Sequence, residues 1–233
     1  MHKIKHHLVT FSKSFVDEPS AQIRYQHVRT ILKTIPDYRS NDYQKIQAKF
    51  LNGNLQILAL DSSNEILQRN LSTISMRKVN GKSKLLVASE NMCYSHIGTT
   101  TVPVLYHIPA WLALTDKDYK LFNENFVEKG SINAKTRMTH WDSEELRHFL
   151  ELQLMSHIEF AFISLAGKSP ASDWYLSVQP LIKSRIINYK TSSMSSPKKK
   201  TLFNIYFTSN MILPELIGVG NKINLGYGTV IKC

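Results

Sequence analysis

Residues 45–60 read KIQAKFLNGNLQILAL, and this stretch decides the first part of the fold. Two runs rich in apolar residues, 45–51 and 54–60, are joined by Asn52-Gly53. A type I′ turn needs positive φ at both of its central residues, and the Asn-Gly pair meets that need best. The stretch therefore predicts a β-hairpin.

The segments on either side of this hairpin complete an α+β unit. Before it, Lys3 to Phe11 predicts a strand, and the apolar spacing of residues 18–34 predicts an amphipathic helix. After it, Asp61-Ser62-Ser63 can cap a short helix, and a second Asn-Gly pair, at 80–81, joins two further strand-like runs, 74–79 and 84–88. The order strand, helix, hairpin, helix, strand is that of a ferredoxin-like fold.

The second half of the chain predicts a similar unit. Strand-like segments at 100–108, 174–187 and 202–211 accompany a short helix near 115–125 and a long helix from Asp142 or Ser143. The long helix carries an apolar stripe at helical spacing: Leu146, Leu150, Leu154, Ile158, Ala161 and Leu165. We therefore expect an α+β protein of two tandem ferredoxin-like domains, 1–92 and 93–233, with a glycine-rich loop near the C-terminus.

The charge of the chain points to a polyanionic partner. Its 233 residues include 29 Lys and Arg against 18 Asp and Glu, giving a net charge of +11 and a pI near 9.6. Residues 1–92 and 168–233 each carry a net charge of +7, whereas residues 93–167 carry −3. The two basic ends either form one surface or remain two separate solvated faces, and composition leaves both possibilities open.

Composition also argues against other classes of protein. A 42% hydrophobic and 20% charged sequence is typical of a globular protein rather than a disordered one. Cys93 and Cys233 form neither a metal-ligand spacing nor a disulfide framework. The apolar stretch 102–114 is shorter than the roughly 20 residues of a membrane span. We expect a cytoplasmic protein that does not bind membranes.

The C-terminal residues 213–228, LPELIGVGNKINLGYG, form the most informative motif. Gly218, Gly220, Gly226 and Gly228 make two Gly-x-Gly pairs, with Lys222 between them. Glycine lets backbone N–H groups approach a phosphate closely. The motif is neither a P-loop nor a dinucleotide-binding loop, because the required Ser/Thr and third glycine are missing. It is either a phosphate-binding loop or a glycine-rich turn before a last strand.

Two other features suggest contact with nucleic acid. Lys198-Lys199-Lys200 follows Ser195-Ser196-Pro197 in a predicted loop, and such a run either binds phosphates or is simply solvated. His27 lies at the edge of the first helix's apolar stripe near Arg24 and Arg29. It is either a proton-transfer group at a phosphate or an ordinary surface histidine.

The remaining motifs restrict the chemistry. We interpret His140, His148 and His157 as surface or hydrogen-bonded core residues. The sequence lacks a paired-carboxylate motif, a Gly-x-Ser-x-Gly motif and a metal-binding cluster. Any reaction would therefore use His, Lys, Arg, Tyr and backbone donors, without a metal or cofactor, which fits metal-free RNA cleavage.

Three stretches carry a family resemblance. The glycine pairs, with residues 207–210 (FTSN) and 213–215 (LPE) before them, resemble the C-terminal signature of the CRISPR repeat-processing endoribonucleases of the RAMP superfamily. Residues 43–49 (YQKIQAK) resemble the aromatic-x-x-Ile-Gln-x-Lys hairpin of that family's branch with the suffix "b". Residues 109–119 (PAWLALTDKDY) resemble its Pro-Trp-Leu-Ala-Leu-Asn block.

This resemblance implies two ferredoxin-like (RRM-like) domains side by side and an RNA partner, the CRISPR repeat RNA or crRNA. Such enzymes cut a long transcript within each repeat without metal, by attack of the 2′-hydroxyl that leaves a 2′,3′-cyclic phosphate. The resemblance implies a monomer or a homodimer. The residues expected to bind RNA are Gly218, Gly220, Lys222, Gly226, Gly228, Lys45, Lys198, Lys199 and Lys200.

The chain departs from the family pattern just before the Ile-Gln-x-Lys hairpin. Members of the branch usually carry one or two catalytic histidines there, whereas residues 33–40 read KTIPDYRS. One hypothesis assigns acid/base catalysis to His27, with Tyr38, Lys33 and Arg39 stabilising the phosphate. In a second hypothesis, Lys33, Tyr38 and Arg39 position and stabilise the phosphate without a histidine, and cleavage is slower.

A third hypothesis is that the protein binds repeat RNA without cutting it, as a subunit of a CRISPR effector complex with other proteins as partners. A general basic nucleic-acid binder is a separate class. It predicts no preference for a cognate repeat over scrambled RNA, because phosphate contacts carry no sequence information.

Overall fold

The architecture comes from a computed structural model of the 233-residue chain. The residues that it describes are 1–14, 32, 35, 43–51, 54–75, 78–79, 83–84, 87–122, 139–141, 144–180, 182–189, 196 and 198–233. The predicted helix at 18–34 and both Asn-Gly turns therefore lie outside the described residues, apart from Leu32.

The described elements are eleven strands, three α-helices and one 3-10 turn. The strands are β1 (His2–Ser14), β2 (Ile46–Leu51), β3 (Asn54–Leu60), β4 (Lys78–Val79), β5 (Ser83–Lys84), β6 (Val87–Trp111), β7 (Thr139–Trp141), β8 (Leu176–Val178), β9 (Ile182–Tyr189), β10 (Lys198–Ile212) and β11 (Ile231–Lys232). The helices are α1 (Ser63–Ser75), α2 (Asp116–Phe122) and α3 (Glu144–Ala166), with a 3-10 turn at Ile223–Leu225. This mixture confirms the predicted α+β class.

One antiparallel sheet organises the described residues. Its main path is β2-β3-β1-β6-β10-β9-β7, and β11 and β8 pair with β6 and β10 respectively. The predicted hairpin is confirmed in its strands, because β2 pairs with β3 from Ile46↔Ala59 to Leu51↔Asn54. β4 and β5 form a separate two-stranded pair.

The long strand β6 connects the two halves of this sheet. Its residues from Val87 to Ile97 pair with β1, and its residues from Gly98 to Trp111 pair with β10. The partner therefore changes between Ile97 and Gly98, and the predicted domain boundary at residue 92 falls inside β6. The division into domains 1–92 and 93–233 stays a prediction.

Two apolar clusters bury the faces of the sheet. The larger one packs α3 against residues such as Tyr106, Phe203 and Phe207. The smaller one joins Val9 and Ile57 of the first strands to α1 and to residues of the C-terminal loop. All six residues of the predicted stripe are buried in α3 (Leu146, Leu150, Leu154, Ile158, Ala161 and Leu165), which confirms that prediction.

Helix α3 is also long and apolar enough, by length and composition alone, to cross a membrane. In the structure its buried stripe packs against the sheet within the larger cluster. Such packing is typical of the core helix of a globular protein.

Several predicted boundaries were wrong. The predicted strand at 100–108 lies in the second half of the much longer β6, because pairing with β1 and then β10 supports strand geometry over its whole length. Of the predicted strand at 74–79, residues 74–75 are the end of α1, where Ile74 is buried against the sheet, whereas residues 78–79 form the strand β4, which pairs with β5. The predicted strand at 174–187 is divided into β8 and β9, and β7 was not predicted.

Candidate nucleic-acid interface

The glycine-rich C-terminal segment folds back on itself as a short ladder. The Val219 N–H donates to the Gly228 carbonyl at 2.9 Å, and the Val230 N–H donates to the Ile217 carbonyl at 2.9 Å. Between these pairs, Gly218 and Thr229 form an antiparallel bridge. The ladder closes a loop with Lys222 near its tip.

Two glycines are required by close approach. Gly228 has φ +67°, and a Cβ there would lie 1.8 Å from the Val219 carbonyl oxygen. Gly220 has φ +96°, and a Cβ there would lie 2.5 Å from Nε1 of the buried Trp111. Any larger residue would displace the Val219 carbonyl at the first position or the Trp111 indole at the second.

The loop is docked on the end of β6 by its own backbone. The Gly228 N–H donates to the Ala110 carbonyl at 2.8 Å, and the Asn221 N–H donates to the Leu112 carbonyl at 3.1 Å. Since these N–H groups already have acceptors within the protein, their role is to stabilise the conformation of the loop. The group that the loop presents to solvent is the exposed Lys222, which has a left-handed backbone with φ 58°.

A buried network ties this loop to the first hairpin. The Gly218 N–H donates to Oε1 of Gln47 at 2.8 Å, and Nζ of Lys49 donates to the same oxygen at 2.8 Å. The Tyr43 hydroxyl donates to the Gly218 carbonyl at 3.1 Å. The polar and aromatic positions of the motif at 43–49 therefore hold one glycine of the C-terminal loop.

Burial changes the ionisation of this network. Desolvation lowers the pKa of Lys49 well below its usual value, because its side chain is fully buried. Desolvation also raises the pKa of the buried Tyr43, against a smaller lowering by its hydrogen bond with Gln47. The network therefore favours a neutral hydroxyl and a neutral amine.

A cleft opens beside the loop tip. It encloses about 290 Å³ and lies between the residues after β6, the start of α2, the start of β10 and the loop. The residues that line it are Leu112, Leu114, Thr115, Asp116, Lys200, Asn221 and Lys222. Two cations and an apolar floor make it suited to a phosphate with its attached sugar or base.

Asp116 forms ion pairs with the lysines at the mouth of this cleft. Its carboxylate pairs with Lys198 at 3.1 Å and also contacts Lys200. Hydrogen bonds from Lys200, and then from Lys198, hold the pKa of Asp116 below its usual value. A phosphate that entered the cleft would compete with Asp116 for the same ammonium groups.

The structure brings together only part of the predicted RNA-binding set. Lys200 and Lys222 line the cleft, and Lys198 reaches it through Asp116. Lys199 alternates to the other face of β10 and is exposed. The placement of all three lysines in a loop was wrong, because pairing with β9 extends β10 back to Lys198.

The other predicted site residues stand apart from this cleft. Lys45 is half-buried before β2, and its carbonyl accepts the Leu60 N–H at 3.0 Å. It does not line the cleft in the described part of the chain. His27, Lys33, Tyr38 and Arg39, the predicted catalytic residues, lie outside the described residues, so their roles stay predictions.

Sequence reasoning missed three groups at this site. Asp116 pairs with lysines more than 80 residues away along the chain, so no local pattern could reveal it. Gln47 and Lys49 were visible as a motif, but their burial and their hold on Gly218 depend on the tertiary fold.

His157 is also different from its sequence interpretation. Its ring meets that of Trp111 edge-on at 5.8 Å, and within the described structure its Nδ1 is buried without a hydrogen-bond partner. Burial lowers the pKa of His157 to about 4, although the nearby Asp118 acts in the opposite direction. The imidazole is therefore uncharged at neutral pH.

Comparison with solved structures identifies the fold. The chain is similar to "Crystal structure of Cas6b", with a TM-score of 0.76 and 17% identity over 100% of both chains. It is similar to "Crystal structure of CRISPR RNA processing endoribonuclease Cas6b", with a TM-score of 0.73 and 17% identity over 100% of both chains. A third similar structure is "Csf5, CRISPR-Cas type IV Cas6 crRNA endonuclease", with a TM-score of 0.55 and 12% identity over 98% of this chain and 99% of that one.

These likenesses extend over the whole chain and confirm the fold class that the resemblance implied, which is that of Cas6b, whereas the number of domains stays a prediction. Neither a protein-family model nor a curated protein matches the sequence. At 17% identity the relation to the two Cas6b structures is one of fold.

Proposed function

We propose that this chain is a metal-independent endoribonuclease that cleaves CRISPR precursor transcripts within the repeat to make guide crRNAs. The full-length likeness to the two Cas6b structures is the observation that carries the proposal. The second of those proteins is described as a CRISPR RNA processing endoribonuclease. The net charge of +11 is consistent with an RNA substrate in the cytoplasm.

The proposed reaction is attack of the 2′-hydroxyl on the adjacent phosphate. The 2′-oxygen loses its proton to a base and forms the P–O bond of a 2′,3′-cyclic phosphate. The bond to the 5′-oxygen of the next nucleotide breaks, and that oxygen takes a proton from an acid. Cations stabilise the crowded, negatively charged transition state.

We assign these roles within the chain as follows. His27 is the proposed acid/base, and Lys33, Tyr38 and Arg39 are the proposed phosphate stabilisers. The cleft supports substrate binding, because Lys200 and Lys222 can hold the backbone of a repeat that enters it. His157 is a poor acid at neutral pH, since burial lowers its pKa to about 4.

A second candidate function is a protein that holds repeat RNA in an effector complex without cutting it. The absence of histidine between Lys33 and Ser40 favours this alternative, because the similar enzymes usually have their catalytic histidines there. The two functions share the RNA and the cleft, and they differ only in the chemical step.

Incubation with end-labelled repeat RNA separates the two functions. The endoribonuclease yields a single cut within the repeat, and scrambled RNA of equal length stays intact. His27→Ala should abolish this cut, whereas His148→Ala, an exposed histidine of α3, should leave it unchanged. Tight repeat binding without any cut by the wild type would favour the holding protein.

A further inference from the structure

The second half of the sheet has one face that the described helices leave open around Tyr206. On β10, Phe203, Ile205 and Phe207 point into the larger apolar cluster, to which α2 and α3 contribute. Because side chains alternate along a strand, Asn204 and Tyr206 point to the opposite face. Tyr206 is 46% exposed there.

An aromatic pair stands on this open face. Tyr206 and His107 are direct cross-strand partners of β10 and β6. Their rings lie 4.2 Å apart with an interplanar angle of 6°, so they stack in parallel. His107 Nε2 lies 2.9 Å from Oδ1 of Asn204 and donates to it, which fixes the imidazole plane.

Positive charge lies beside this pair. Lys183 is the cross-strand partner of Asn204 and therefore shares its face, and it is exposed. It is a diagonal neighbour of Tyr206, within reach of a long side chain. Lys200 of the cleft lies on the same face of β10, six residues from Tyr206 and about 20 Å away.

Because the two rings stack on each other, the surface left for a base is the outer face of the exposed Tyr206 ring, and this face beside a cation fits one base with its phosphate. Every base has a π-face, and stacking on an aromatic side chain is a common basis for binding unpaired nucleotides. The bases of a duplex are already stacked on one another and cannot reach a side chain on a sheet. The occupant that this face fits is therefore a single strand.

We propose that the His107–Tyr206 pair is a stacking platform for an unpaired base of RNA, with Lys183 binding the adjoining phosphate. The choice of RNA rests on the proposed function, whereas the platform itself rests on the geometry of this face. The platform is separate from the cleft, because Leu202, which lies between Lys200 and Tyr206 on this face of β10, is buried in the smaller apolar cluster.

Binding of a fluorescein-labelled, unstructured RNA of about ten nucleotides tests the platform. Tyr206→Ala should weaken binding about tenfold, and Tyr206→Phe, which keeps the ring, should bind like the wild type. Tyr175→Ala is the matched control, since Tyr175 is also 46% exposed. It should bind like the wild type. RNA duplex should bind equally to the wild type and Tyr206→Ala.

A second measurement locates the base directly. RNA that carries 5-iodouracil should cross-link on irradiation to the peptide that contains Tyr206. Unchanged single-strand affinity of Tyr206→Ala, or an equal loss with duplex, would overturn the platform. Cross-links confined to other peptides would overturn it too.

The platform and the proposed function fail in different ways. If the wild type cuts repeat RNA and Tyr206→Ala binds the single strand equally well, the platform alone is overturned. If the wild type binds neither repeat RNA nor the unstructured strand, both are overturned.

Discussion

The backbone N–H of Gly218 donates to the side-chain oxygen of Gln47 at 2.8 Å, although 171 positions separate the two residues. Because Lys49 uses the same oxygen, Gln47→Ala leaves two buried donors without an acceptor. We expect a loss of about 2–4 kcal/mol in the free energy of unfolding. Gln68→Ala, at an exposed position of α1, should change it by less than about 0.5 kcal/mol. Urea denaturation measures both, and equal values for the two variants would contradict the network.

The lowered pKa of Lys49 predicts a pH-dependent stability. The unfolded chain binds a proton at this lysine up to about pH 10.4, whereas the folded chain releases it at lower pH. Stability from this group is therefore greatest above the unfolded pKa and falls as the pH falls through the folded pKa.

Lys49→Met removes this dependence and keeps most of the side-chain volume. Its stability advantage over the wild type should be largest near pH 7 and should shrink toward about pH 10. Lys222→Met, at an exposed position, serves as the control and should show no such trend. A constant difference between wild type and Lys49→Met across this range would show that Lys49 titrates normally.

Two glycines of similar backbone conformation give a direct test of loop packing. Gly228 and Gly167 have φ +67° and +70°, but an added Cβ meets the Val219 carbonyl only at Gly228, and at Gly167 it meets no atom of the described residues within 4 Å. Gly167→Ala should cost about 1–2 kcal/mol for the left-handed backbone alone. Gly228→Ala should cost clearly more, because the loop must also move. Similar thermal denaturation midpoints for the two variants would contradict the close approach.

The sequence predicted those parts of the fold that local patterns control. The Asn-Gly spacing identified β2 and β3, and a period of 3.6 identified the buried face of α3. The length of β6 and the strand start at Lys198 depend on pairing with distant strands, so a local pattern could not define them. The same reason applies to the site, where Lys200 and Lys222 were predicted but their position beside Asp116 was not.

Asp116 is predicted to weaken RNA binding. Asp116→Asn releases Lys198 and Lys200 from their carboxylate, so repeat RNA should bind several-fold more tightly at low salt. The slope of log affinity against log salt should steepen by about one to two phosphate contacts. Filter binding over a salt series gives both quantities.

Glu65→Gln makes the same change in net charge on α1, where Glu65 pairs with Arg69 at 3.4 Å. It should change affinity and slope much less than Asp116→Asn. Equal effects of the two variants would mean that net charge alone, and not the release of the lysines at the cleft, determines affinity.

The central claim is metal-free cleavage by the 2′-hydroxyl, and one experiment tests it most directly. The purified protein is incubated in EDTA with repeat RNA and with the same RNA carrying a single 2′-deoxy nucleotide at the cleavage site. We predict that the RNA is cut to a 2′,3′-cyclic phosphate and a 5′-hydroxyl, and that the 2′-deoxy strand is bound but stays intact. Cleavage of both strands, or tight binding of the RNA with no cut, would contradict the claim.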